Sequence, residues 1–173
     1  NDWAAAGIAF LLAMFVYYIT LATTVTLEYS GALVVAADHL GVARPPGYPI
    51  WTLLAKGFMC LFPFAKYHGH PNPAWAVNMM SAFFGALACG LLALLSCRLS
   101  GEIVSDNLRH NQWPCVATGV FAALLFAFSP AMWSQSVIAE THTLTNFYFL
   151  GLLVISLRWM SVHDNTSPYL LAF

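Results

Sequence analysis

Residues 49–63 read PIWTLLAKGFMCLFP, and whether this run crosses a membrane or lies along it decides the fold. Ile50, Leu53, Leu54, Gly57, Phe58 and Leu61 fall at i, i+3, i+4, i+7, i+8 and i+11, a single helical stripe. Pro49 suits a first helical position and Pro63 stops the run. Thirteen residues at ~1.5 Å each give about 20 Å, short of the ~30 Å that a span must cover. Lys56 also sits at the centre of the run. We therefore read Ile50–Phe62 as an amphipathic helix lying in the membrane plane.

The surrounding chain is a membrane protein by composition: 60% hydrophobic and 8% charged, with mean hydropathy +0.72. A soluble domain carries about 25% charged residues. The net charge of −1 says nothing useful about partners, and nothing basic suggests nucleic acid, so no nucleic-acid partner is expected. Four runs are long and apolar enough to be read as spans: Trp3–Ala22, Ala74–Cys97, Pro114–Ser129 and Thr143–Leu157, with a fifth opening at Pro168. The first lacks a basic n-region and a small-residue cleavage site, so it reads as a retained helix. The start at Asn1 and the new run at Pro168 lead us to expect the N-terminal part of a longer protein.

With Ile50–Phe62 in the plane, the acids Glu28 and Glu140 face one compartment. Arg98, Arg109 and Arg158 then fall on the other side, which the positive-inside rule makes cytoplasmic. The outer segment runs from residue 23 to 73, and a second outer loop from 130 to 142. A further in-plane helix is expected over Ser30–Leu40, with Ser30 as N-cap and Gly41 as the C′ stop. Its Leu33, Ala37 and Leu40 share one face. Pro45 and Pro46 separate the two helices.

The polar groups are sparse. Glu28 reads either as a solvated acid at the membrane boundary or as an outward-facing general base. Asp38 and His39 end the first in-plane helix, with Arg44 shortly after, either as a helix terminus with mutually satisfied charges or as substrate contacts. Glu140, beside His142, is a functional candidate because acids near membrane helices are costly; stabilisation by a helix dipole is the competing reading. His68 and His70 lack a third ligand for a metal, which needs three or four, and read as a polar loop. The Asn165-Thr166-Ser167 glycosylation pattern falls on the cytoplasmic side. Trp51, Trp75, Trp113, Trp133 and Trp159 lie near run boundaries, as interface anchors do. Asn78 and Ser81 suit hydrogen bonds between helices. Cys60, Cys89, Cys97 and Cys115 read as small apolar residues.

The run SGALVVAADHLGVARPPGYPIWTLLAK, with NMMSAFFGAL and AFSPAMWSQSVIAETHTL after it, resembles the family catalogued as domain of unknown function 2723. That family is related to protein O-mannosyltransferases and other GT-C glycosyltransferases. The resemblance covers nearly the whole chain, and LGVxxPPGYP is its most specific part. It implies an all-α integral membrane protein with a GT-C-like multi-spanning helical bundle and two in-plane helices in the first outer loop.

It also implies transfer of a sugar, mannose in the related enzymes, from a polyprenyl-phosphate donor to a protein or glycan acceptor. The active face would be extracytoplasmic, in a bacterial inner membrane or an ER-type membrane. No cofactor beyond the lipid-phosphate donor is implied, and a divalent metal is left open. Glu140 would act as an acid/base or positioning group, with Glu28 as a replacement base. Arg44 and Lys56 would face the lipid phosphate, and Tyr48 would serve in packing or in sugar contact; Asp38, His39 and His142 complete the substrate set. The family pattern reads D-S-G-E where this chain has Tyr29-Ser30-Gly31-Ala32. Both acids of that motif are replaced, so a catalytically degenerate paralogue that binds a lipid-linked sugar or a partner protein is the alternative. A transporter is a third class, against which no span shows paired Gly/Pro breaks.

Overall fold

A computed structural model describes residues 2–26, 29–43, 45, 47–103 and 113–164, the side chains of 101–103 and 160–164 excepted. Glu28, Arg44, Pro46, Arg109, Asn165–Ser167 and Pro168 lie outside the described residues. The described residues form seven helices and one small hairpin. The order is α1 (Asp2–Ile19), α2 (Ser30–His39), α3 (Pro49–Leu61), β1 (Lys66–Tyr67), β2 (His70–Pro71), α4 (Pro73–Ile103), α5 (Trp113–Ala127), α6 (Pro130–Ser136) and α7 (His142–Asp164).

Two of these, α1 and α4, are long and apolar enough to cross a membrane. Read as one broken span, α5 and α6 would make a third. They meet at a 71° bend, which follows from Pro130: it has no N–H to continue the helical ladder. The sequence reading counts four spans, the fourth being Thr143–Leu157. That stretch lies within α7. The second apolar run also continues past Cys97 as helix to Ile103. Arg98 ends the run but not the helix, because its guanidinium Nε lies 3.3 Å from the Asp2 carboxylate and is buried there.

The chain divides into two compact units. One comprises Asn1–Ala13, Ala86–Ser129 and Asn146–Phe173. Its core is made of small residues: Ala5 and Ala9 of α1, Ala93 and Cys97 of α4, Val116 and Ala123 of α5. Lipid tails are as apolar as leucine, so helices in a membrane associate through close packing, and small residues permit it. At Gly90 a Cβ would stand 3.1 Å from the Ala6 carbonyl oxygen, and at Gly119 only 2.6 Å from that of Ala93. The large side chains point outward instead, with Trp3, Ile8, Leu11 and Leu12 of α1 exposed.

The other unit comprises Met14–Gly85 and Pro130–Thr145. Here α2 and α3 pack against each other, and Leu33, Val34, Ala36 and Ala37 turn one face of α2 inward. Ser30 does not cap α2. The N-cap position is Tyr29, whose side chain does not cap the helix, while the buried Ser30 hydroxyl donates to the Thr26 carbonyl oxygen at 3.0 Å and accepts from the Thr26 N–H at 2.9 Å. The left-handed residue that ends α2 is Leu40 (φ 53°) rather than Gly41. Gly41 follows it and donates its N–H to Ala36 O at 2.8 Å. A left-handed conformation costs a non-glycine residue roughly 1–2 kcal/mol, so Leu40 is a strained stop, and it is exposed rather than sharing the buried face of Leu33 and Ala37.

The stripe of α3 is turned differently from a soluble amphipathic helix. Ile50, Leu53, Gly57 and Leu61 are exposed, while Trp51, Thr52 and Ala55 are buried. Leu54 and Phe58 lie at the margin, Phe58 with its ring centroid 6.0 Å from that of Phe83 on α4. Cys60 is likewise exposed, unlike the buried Cys89 and Cys97. After α3, His68 and Gly69 both take positive φ (48° and 85°). This is the two-residue hairpin geometry with positive φ at both central positions, and it pairs Lys66 with Pro71 and Tyr67 with His70. The polar loop is therefore a tight hairpin.

The small-residue core makes a specific demand. Gly119→Val places side-chain atoms against the main chain of α4 and should lower stability by about 1–3 kcal/mol. Gly7→Ala, with nothing within 4 Å, should be neutral or slightly stabilising. Thermal unfolding of both variants in detergent micelles reads the contrast.

Candidate functional site

Glu140 lies between α6 and α7, two residues before the first residue of α7, and is only 7% exposed. Its peptide group is held from two other helices. The indole N–H of Trp51, on α3, donates to the Glu140 carbonyl oxygen at 3.1 Å. Ser81, on α4, accepts from the Glu140 N–H at 3.3 Å and donates to the same carbonyl oxygen at 3.4 Å. The side chain then turns toward α7, where Oε2 accepts the Thr141 N–H at 3.0 Å. A negative charge at a helix N-terminus is favourably placed against the dipole.

A buried polar seam surrounds this peptide. Asn78, Ser81 and Gly85 recur at helical spacing along α4, and Asn78 and Ser81 are fully buried. Gly85 has no room for a side chain, since a Cβ there would lie 2.6 Å from Ser136 Oγ and 3.4 Å from Thr143 Cγ2. Ser136 donates its hydroxyl to Met132 O at 2.7 Å. Asn78 donates to the carbonyl oxygens of Ala22 and Thr24 at 2.8 and 3.2 Å, and Asn72 donates to that of Thr23 at 2.6 Å. Asn78 and Ser81 thus bond to connecting segments, not from helix to helix. The reason is the accounting of main-chain groups: segments without regular structure need side-chain partners when buried.

Two other expected site residues meet each other. Lys56 Nζ donates to the Asp38 carboxylate at 2.9 Å and to the Asp38 main-chain oxygen at 2.7 Å. This hydrogen bond from Lys56 holds the Asp38 carboxyl below its ordinary value. The pair joins the end of α2 to the middle of α3 and borders a groove of about 620 Å³ that Met59, Phe62, Pro71 and Asn72 also line. His39 lies outside this pairing, with its exposed ring Nδ1 3.2 Å from Val35 O. His142 is exposed at the first position of α7.

Tyr48 lines a second, mainly apolar groove of about 430 Å³, with Leu40, Val42, Gly47, Thr52 and Leu53. Gly47 takes φ +82°, which explains a glycine at that point of the PPGYP turn. In the segment Tyr29–Ala32, Ser30 is buried while Tyr29 and Ala32 are exposed.

Trp51 is the residue that sequence reasoning misplaced. It is 2% exposed, an interior donor rather than an interface anchor, whereas Trp113 and Trp159 are indeed exposed. The available signal was its position outside the stripe Ile50–Leu53–Leu54. Among the described residues, no group of three or more His, Cys, Asp or Glu is placed to hold a metal ion.

Residues 30–173 match the family model described as "Protein O-mannosyl-transferase TMEM260 N-terminal domain". Over 159 residues the chain is 38% identical to the Mus musculus protein O-mannosyl-transferase TMEM260, covering 89% of this chain and 20% of that protein. It is 26% identical over 159 residues to the Dictyostelium discoideum protein O-mannosyl-transferase tmem260, covering 92% of this chain and 17% of that protein. The chain thus spans about one-fifth of the length of these relatives. No solved structure matches it.

The exposed Asp38–Lys56 pair should behave as a weak surface clasp. The Asp38 shift is downward, so any stability it lends is complete above the ordinary value of 3.8 and is lost as pH falls through the lower folded value. Stability should therefore be indifferent to this pair between pH 5 and 8, roughly. Asp38→Asn should cost little at neutral pH, and ~0.5 M salt should erase the difference. Thermal unfolding of wild type and variant at two salt concentrations measures both.

Proposed function

The chain belongs to the protein O-mannosyl-transferase TMEM260 N-terminal domain family, and we propose that it forms part of a membrane glycosyltransferase of the GT-C type. It would transfer a sugar, mannose by the names of its relatives, from a polyprenyl-phosphate donor to a protein or glycan acceptor. The observation that carries this reading is the nearly buried Glu140 carboxylate, held at the start of α7 with its peptide fixed from α3 and α4.

The chemistry needs an acceptor hydroxyl within hydrogen-bond reach of a base. It also needs cations or oriented donors for the departing lipid phosphate. Glu140 supplies the first as an acid/base or positioning group, with Glu28 as a second carboxylate on the same side. Arg44 and Lys56 are assigned to the phosphate. A phosphate at Lys56 would compete with the Asp38 carboxylate that now holds it. Tyr48, Asp38, His39 and His142 form the surrounding substrate set. The outward stripe Ile50, Leu53, Gly57 and Leu61 supports an in-plane placement of α3, where a lipid carrier presents its head group. We place this face on the extracytoplasmic side of a multi-pass membrane protein.

A second reading has its own observation. Tyr29 and Ala32 occupy the exposed positions where the family pattern has acids, so the chain would bind a lipid-linked sugar or a partner protein without transferring anything. The Tyr29→Asp, Ala32→Glu double variant separates the two. Transfer that appears only in this variant supports the degenerate paralogue.

The direct test is Glu140→Gln in the full-length protein, assayed for sugar transfer from a polyprenyl-phosphate donor. Loss of general acid–base help should lower the rate by ~100-fold or more. Transfer at the wild-type rate would remove Glu140 from the mechanism.

A further inference from the structure

The hydrogen bonds around Glu140 converge from far apart in the chain. Trp51 lies 89 residues away and Ser81 lies 59 residues away, yet both bond to its main chain rather than to its carboxylate. A tryptophan buried only for its bulk has no need of an aligned N–H. Here the N–H is spent on the carbonyl of the one acid in the segment 130–145. With both the N–H and the carbonyl of residue 140 bonded, the two peptide groups that flank its Cα are held, and the carboxylate is left with its side-chain torsions. Its Oε2 is then tied to the Thr141 N–H.

We infer that Trp51 and Ser81 are positioning residues that aim the Glu140 carboxylate by clamping the main chain on either side of its Cα. This rests on the reading of Glu140 given above.

The test uses Trp51→Phe and Ser81→Ala in the full-length protein, each alone and combined with Glu140→Gln. A misaimed carboxylate should lower kcat by about 10- to 100-fold, with KM for the donor within about twofold. In the Glu140→Gln background the same substitutions should change the residual rate by less than about twofold, because a residue that acts through Glu140 has nothing left to act on. An equal fall in both backgrounds, or no fall in either, overturns the inference. Hydrogen exchange supplies an independent readout: the Glu140 amide, whose acceptor is Ser81 Oγ, should exchange faster in both clamp variants. Unchanged exchange would sink the clamp. Faster exchange with full transfer by Glu140→Gln would leave the clamp standing and sink the role of Glu140. Should Trp51→Phe fail to fold, Ser81→Ala decides the question by the same two measurements.

Discussion

The bond from the Trp51 indole to the Glu140 carbonyl oxygen is the contact on which the unit of residues 14–85 and 130–145 depends. It fixes the rotation of α3 about its axis. Once Trp51 faces inward, Thr52 and Ala55 follow it, and Ile50, Leu53, Gly57 and Leu61 must face out. It also satisfies a buried carbonyl in a segment with no ladder of its own. The indole gives the shorter of the two bonds this oxygen accepts, 3.1 Å against 3.4 Å from Ser81, so Trp51 is both a packing element and a donor. Ser81 completes the arrangement from α4, and three segments distant in sequence are thereby tied together at the main chain of residue 140.

A different constraint shapes the unit built from the rest of α1, α4, α5 and α7. With only 8% charged residues, that unit has little polar surface, and its large side chains point outward while alanine, cysteine and glycine meet inside. This inverts the usual soluble arrangement. It is what a lipid environment requires, since there burial of bulk brings no gain over contact with acyl chains. Among the described residues of that unit, the charged side chain buried inward is Arg98, placed against Asp2.

The elements themselves could be read from the chain because their signals are local. Pro49 and Pro63 bracket α3, Pro130 breaks α5 from α6, and uninterrupted apolar runs mark α1 and α4. What escaped reading depends on partners far away. Ser30 looks like a cap until its hydroxyl is seen bracing Thr26. Gly41 looks like the left-handed stop, yet Leu40 takes that conformation and Gly41 follows it with an N–H bonded to Ala36 O. Lys56 looks free for a phosphate, but Asp38, one turn-and-helix away, holds it. Trp51 carries no pattern that points to residue 140. Glu140 itself was legible as a lone acid in an apolar stretch, whereas the clamp around it was not, because hydrogen bonds across 59 and 89 residues leave no periodicity behind.

The central claim is the rotation of α3, with Trp51 inward and the apolar stripe turned to lipid. Spin labels placed one at a time at residues 49–61 of the full-length protein in lipid bilayers would measure it through their accessibility to dissolved oxygen. The account predicts maxima at positions 50, 53, 57 and 61 and minima at 51, 52 and 55. Maxima at 51 and 55, with the stripe shielded, would contradict it.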